Sequence, residues 1–127
     1  MTELAFIETV AERGELAEDQ VVPVTEATLR TLTERISGGE AEQAAEHLPD
    51  RFRPLMIKSR EPAEAFSFDE FIRRVAERAG VDRDVAERGV RAVLQSMHNL
   101  VGHKEFEDIM SQLPKEFDAL VRAGGAG

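Results

Sequence analysis

Phe71-Ile72-Arg73-Arg74-Val75-Ala76-Glu77-Arg78 repeats, 65 residues downstream, the pattern of Phe6-Ile7-Glu8-Thr9-Val10-Ala11-Glu12-Arg13. Both stretches put apolar side chains at i, i+1, i+4 and i+5, which share one face of an α-helix. The same offset holds outward from this pair. Asp19 falls on Asp84, Ala27 on Ala92 and Leu29 on Leu94. Glu40 and Glu42 fall on Glu105 and Glu107, Leu48-Pro49 on Leu113-Pro114, Phe52 on Phe117 and Leu55 on Leu120. With the six identities of the opening stretch these make 15 over the 51 pairs from 6/71 to 56/121, without an insertion. Two copies are too few for an open solenoid, which needs about three repeats to bury its faces. The expected fold is therefore all-α, with two tandem four-helix repeats packed as one pseudo-two-fold domain.

Each copy reads as four segments. The first carries the apolar stripe already quoted, and Ser67-Phe68-Asp69-Glu70 forms a capping box before its second occurrence. The second segment is longer. Val90, Leu94, Met97 and Val101 form its stripe in copy two, with Leu29, Leu32 and Ile36 in copy one. Asp82 suits its N-cap, Pro23 belongs near its start, and Ser37-Gly38-Gly39 is expected to end it. The third segment spans about 39–47 and about 104–112. Its inward face is small in copy one (Ala41, Ala44, Ala45) and bulky in copy two (Phe106, Ile109, Met110). Pro49 and Pro114 then suit the first position of a short fourth helix.

The domain is expected over 1–123, with repeat one about 3–57, a linker about 57–66, repeat two about 67–122 and a disordered tail at 124–127. Net charge is -9, of which residues 1–65 carry -7 (14 acidic, 7 basic) and residues 66–127 carry -2 (11 acidic, 9 basic). That balance repels phosphate backbones. No cysteine is present, which excludes disulfides and thiolate chemistry. The N-terminus lacks a signal-peptide pattern, and no apolar run approaches the roughly 20 residues of a membrane span. A cytoplasmic protein is expected.

Reactive constellations are scarce. His47, His98 and His103 are the three histidines. None is followed by another at i+4 and none stands in a Glu-x-x-His pattern, so no di-metal bundle signature arises. The acids repeated at the start of the third helix suit the helix dipole. No phosphate loop, zinc motif or nucleophile elbow occurs, so neither enzymatic activity nor a cofactor is expected. Arg51, Arg53, Lys58 and Arg60 form the one basic cluster, either an interaction or anion patch or a set paired with the acids of copy one. Ala41, Ala44 and Ala45 form a candidate helix-packing or interface face.

The Phe71–Val81 stretch with Ala92-Val93-Leu94, the run Ile36-Ser37-Gly38-Gly39-Glu40-Ala41-Glu42 leading to Leu48-Pro49, and Leu113-Pro114 resemble a bacterial family, domain of unknown function 2267. The resemblance covers nearly the whole chain. It implies a helical bacterial protein and carries over no catalytic residues. Members often bear Trp or Tyr after the first Leu-Pro helix, where this chain has Met56-Ile57-Lys58. Residues 71–101 are also similar to the N-terminal helical hairpin of the histone-like HU proteins, which implies helix pairing. The function expected is a non-enzymatic protein-interaction or self-association module, its partner another protein or a second copy in a homodimer. One alternative is a small ligand held between the repeats near Met97, Met110 and Phe106. The other is nucleic-acid binding through Arg73, Arg74, Arg78, Arg83, Arg88 and Arg91, which the acidic balance opposes.

Overall fold

The computed structural model describes residues 2–57 and 63–123, and every regular element among them is helical. Copy one holds α1 (Glu3–Gly14), α2 (Glu18–Arg35), α3 (Gly38–Ala45) and a 3₁₀ turn (Arg53–Met56). Copy two holds α4 (Phe68–Ala79), α5 (Arg83–Val101), α6 (His103–Ser111) and α7 (Glu116–Ala123). The first three helices of each copy begin at positions 65 residues apart (3 and 68, 18 and 83, 38 and 103). The tail 124–127, and residues 58–62 of the linker, lie outside the described residues.

Local chemistry sets these starts. Thr2 and Ser67 accept the backbone N–H of Ala5 and Glu70 at 3.1 Å each. Asp82 Oδ1 accepts the N–H of Val85 at 2.9 Å. Ala17, at the position equivalent to Asp82, has no side-chain acceptor; instead Gln20 Oε1 takes the Ala17 N–H at 3.0 Å. The capping box at Ser67 is half made, because the Glu70 carboxylate turns to Arg73 and Arg74.

Three expectations are corrected. Pro23 lies inside α2, at its sixth position, because the Gln20 cap and the acids Glu18 and Asp19 start the helix earlier. Ser37-Gly38-Gly39 opens α3 rather than closing α2: Ser37 Oγ accepts the Glu40 N–H at 3.3 Å. After Pro49 the chain forms a 3₁₀ turn and no α-helix. The cause is Pro54, which lacks an N–H for an α turn and replaces the Ala119 of copy two.

The copies exchange partners. The most extensive helix contacts are α1 with α5 and α4 with α2, and the long helices α2 and α5 also touch each other. Phe6 rests on Phe52 with centroids 5.6 Å apart, and the equivalent pair Phe71 and Phe117 lie edge to face at 4.9 Å. All four rings are fully buried. Where α2 crosses α5, Val24 packs over Gly89, its own equivalent in the 65-residue register. One continuous core runs through both copies, from Phe6 and Val10 to Ile109 and Phe117. Among the described residues no helix is long and apolar enough to cross a membrane.

Candidate functional site

An open cleft of about 670 Å³ lies between the starts of α3 and α6. It is built where α3 passes α6 and the single residue Gly102 joins α5 to α6. Glu40, Glu46 and His47 line one side; His103, Lys104, Glu105 and Asp108 line the other. Glu40 and Glu105 are equivalent in the repeat and stand in the first turns of α3 and α6. There they face one another across the copies.

The helix dipole favours these acids, but their burial adds a cost. Glu40 Oε2 and Glu105 Oε1 are both shielded from solvent with no hydrogen-bond partner. Burial, with Asp108 and Glu105 nearby, holds the Glu40 carboxyl above the ordinary carboxylate range. The other Glu105 oxygen lies 3.3 Å from His47 Nε2. The cleft is thus a concentration of negative charge with unspent acceptor capacity, suited to a cationic group.

Of the basic cluster, Arg51 and Arg53 are among the described residues, and both have partners within the chain. Arg51 reaches Glu3 at 3.4 Å and Glu26 at 4.0 Å. Arg53 pairs with Asp50 at 3.0 Å and donates to the carbonyls of Leu48 and Glu46. Both are therefore tied to acids and backbone of copy one. Lys58 and Arg60 lie outside the described residues.

Ala41 and Ala44 are fully buried and Ala45 is 7% exposed, in a helix packed on α2, α6 and the 3₁₀ turn. These alanines pack against the chain's own helices, the helix-packing branch of the expectation. Their small size lets α3 lie close to its neighbours. Met97 and Phe106 are likewise core residues, and neither they nor Met110 line the cleft.

The arginines of copy two are engaged within the chain. Arg78 grips Glu34 through both terminal nitrogens at 2.7 and 2.9 Å. Burial alone would raise the Glu34 carboxyl, but Arg78 and Arg74 outweigh it and hold it low. Arg74 also pairs with Glu70 at 2.8 Å and lies 3.9 Å over the Phe66 ring. Arg73 and Arg74 together pull the half-buried Glu70 carboxyl down to about 2. Arg83 pairs with Asp69 and Glu87, and Arg88 with Asp84. Arg88 and Arg91 donate to the carbonyls that end α1, those of Arg13, Gly14 and Glu15.

Two arrangements were not read from sequence. Glu40 and Glu105 converge although they are far apart in the chain; the repeat register, combined with copies that close on each other, is the signal that points to it. His98 and His103 also meet, with His98 Nε2 3.3 Å from His103 Nδ1. Their five-residue spacing fits no single-helix motif, because a helix break lies between them.

The model of a family of uncharacterized conserved proteins, DUF2267, matches residues 4–120. The chain belongs to this family. The match runs from α1 to α7, so it takes in both copies and the acidic cleft between them. The family description assigns no activity. No curated protein matches the chain.

Proposed function

We propose that this DUF2267 protein is a non-enzymatic interaction module whose acidic cleft between α3 and α6 receives a basic segment of a partner protein. The observation that carries this reading is the cleft itself, where Glu40 and Glu105 hold shielded carboxylate oxygens without partners beside Glu46 and Asp108. A Lys or Arg side chain would supply the missing donors and offset the buried charge. The overall charge of -9 would steer such a segment toward the protein.

Other features favour a polar partner over self-association. Leu4 and Ile57 are the large hydrophobic side chains left exposed among the described residues. A second copy would bring more negative charge to the cleft. The engagement of the copy-two arginines with acids and carbonyls speaks against a phosphate-binding face.

The test is fluorescence anisotropy with a labelled Lys/Arg-rich peptide and an acidic control peptide, from low to high salt. Binding of the basic peptide alone is expected, weakening with salt and falling about tenfold in Glu105→Gln/Asp108→Asn. Failure to bind at low salt, or unchanged binding by the double variant, would overturn the reading. A second reading, a small polycationic ligand between the copies, is favoured by the cleft volume, which lies within the range of about 300–1,000 Å³ usual for ligand sites. A thermal shift with a polyamine, absent in the same double variant, is its expected signature.

A further inference from the structure

The joint between α5 and α6 carries chemistry that the acidic cleft does not use. Gly102 closes α5, opens α6, and adopts φ +88°, a backbone that L side chains rarely take. This turn brings His98 from the last turn of α5 over His103 at the first position of α6. His98 Nε2 and His103 Nδ1 stand 3.3 Å apart. Two imidazole nitrogens bound to one tetrahedral zinc ion, each at about 2.0–2.1 Å, must be separated by about 3.3–3.4 Å. The pair therefore already has the spacing of a chelate.

The two rings differ in their surroundings. His98 stacks on Phe106, with centroids 4.1 Å apart and planes 7° from parallel. Phe106 is 4% exposed and fixed in the core, so His98 is preorganised by packing. On the far side of the second ring, His103 Nε2 faces the Glu107 carboxylate at 3.8 Å. Metal bound through Nδ1 would leave the His103 proton on Nε2. Metal-bound His98 would carry its proton on Nδ1. Lys104 follows His103 in the chain, and the cleft carboxylates Glu105 and Asp108 add negative charge on α6.

We propose that His98 and His103 form a bidentate site for a borderline transition-metal ion, Zn²⁺ or Ni²⁺, that clamps α6 to the end of α5. Among the described residues no three His, Cys, Asp or Glu side chains converge on one point. The ion therefore has two protein ligands, and water fills its remaining positions. Such a site is open and exchangeable, unlike a closed structural zinc centre. It shares the His103 edge with the acidic cleft but takes neither Glu105 nor Asp108 as a ligand.

The experiment is isothermal titration calorimetry of the untagged full chain with zinc chloride and with nickel chloride. Wild type is compared with His98→Ala, His103→Ala and His47→Ala at about pH 7.5. One ion per chain is expected, with apparent affinity falling about tenfold or more in both His98→Ala and His103→Ala. His47→Ala keeps wild-type affinity. The His103 side chain is 76% exposed, so its removal leaves the fold intact even if loss of His98 from the Phe106 stack does not. No binding by wild type, or equal binding by His103→Ala, overturns the proposal. So does loss of affinity in His47→Ala matching that in His103→Ala, which would place the ion in the acidic cleft.

Discussion

Glu15 and Gly80 occupy equivalent positions, and both end a helix in the left-handed region, at φ +51° and +69°. Glycine takes that conformation without a Cβ clash, whereas glutamate is strained there. Glu15 keeps its place because its backbone N–H still returns to the end of α1 and its carbonyl accepts Arg88 at 2.7 Å. Glu15→Gly preserves both bonds and should raise stability by about 0.5–1 kcal/mol in urea unfolding. Glu40 makes the opposite kind of demand. Its carboxyl is held above the ordinary 4.5 by burial, Asp108 and Glu105. A raised acid binds its proton more tightly in the folded state, so its ionisation costs stability as pH climbs from 4.5 through the raised value. Glu40→Gln should therefore raise the melting temperature by a few degrees at neutral pH. That gain should vanish below pH 4.5, where wild type is itself protonated; scanning calorimetry across pH reads the difference. An equal gain at every pH would mean that electrostatics is not the cause.

Among the elements, the pair formed by α2 and α5 is the most constrained. Gly89 lies inside a long helix, where glycine costs about 1 kcal/mol relative to alanine, so its presence needs a packing reason. A Cβ there would collide with Cγ1 of Val24, which is fully buried. Gly89→Ala should lose about 1–3 kcal/mol in chemical denaturation despite the better helix propensity; a neutral or stabilising result would show that the crossing can move apart. Helix identity was legible here from the periodicity of Val90, Leu94, Met97 and Val101. The crossing was not, because a glycine within a helical stretch carries no apolar signal of which helix lies against it. The short fourth segment shows the same limit. Leu-Pro recurs in both copies, yet Pro54 in one and Ala119 in the other lead to a 3₁₀ turn and an α-helix.

At the level of the whole molecule, exchanged packing makes each copy depend on the other. The apolar face of α1 is covered chiefly by α5, and that of α4 by α2. Separated fragments 1–57 and 63–127 should therefore show no cooperative thermal transition alone, and circular dichroism should recover helix when they are mixed. A sharp melt for either fragment would contradict that dependence. The same exchange places the starts of α3 and α6 side by side. It brings together acids from opposite copies, and they form the cleft on which the proposed function rests.

Several features were determined by the sequence alone. They include the all-helical class, the 65-residue register, the caps at Ser67 and Asp82, and the positions that fill the core. These follow from spacing and from hydrogen bonds that span only a few residues. Tertiary structure decided what the equivalent positions do once they meet. Val24 faces Gly89 and Glu40 faces Glu105 across copies, while His98 reaches His103 across a glycine joint. Arg51 and Arg53 are consumed by neighbouring acids and carbonyls, and the alanine face of α3 is closed within the core. Periodicity tells which face of a helix is buried; it carries no information on which other face lies against it, and that is where burial of charge and approach of ligating groups are set.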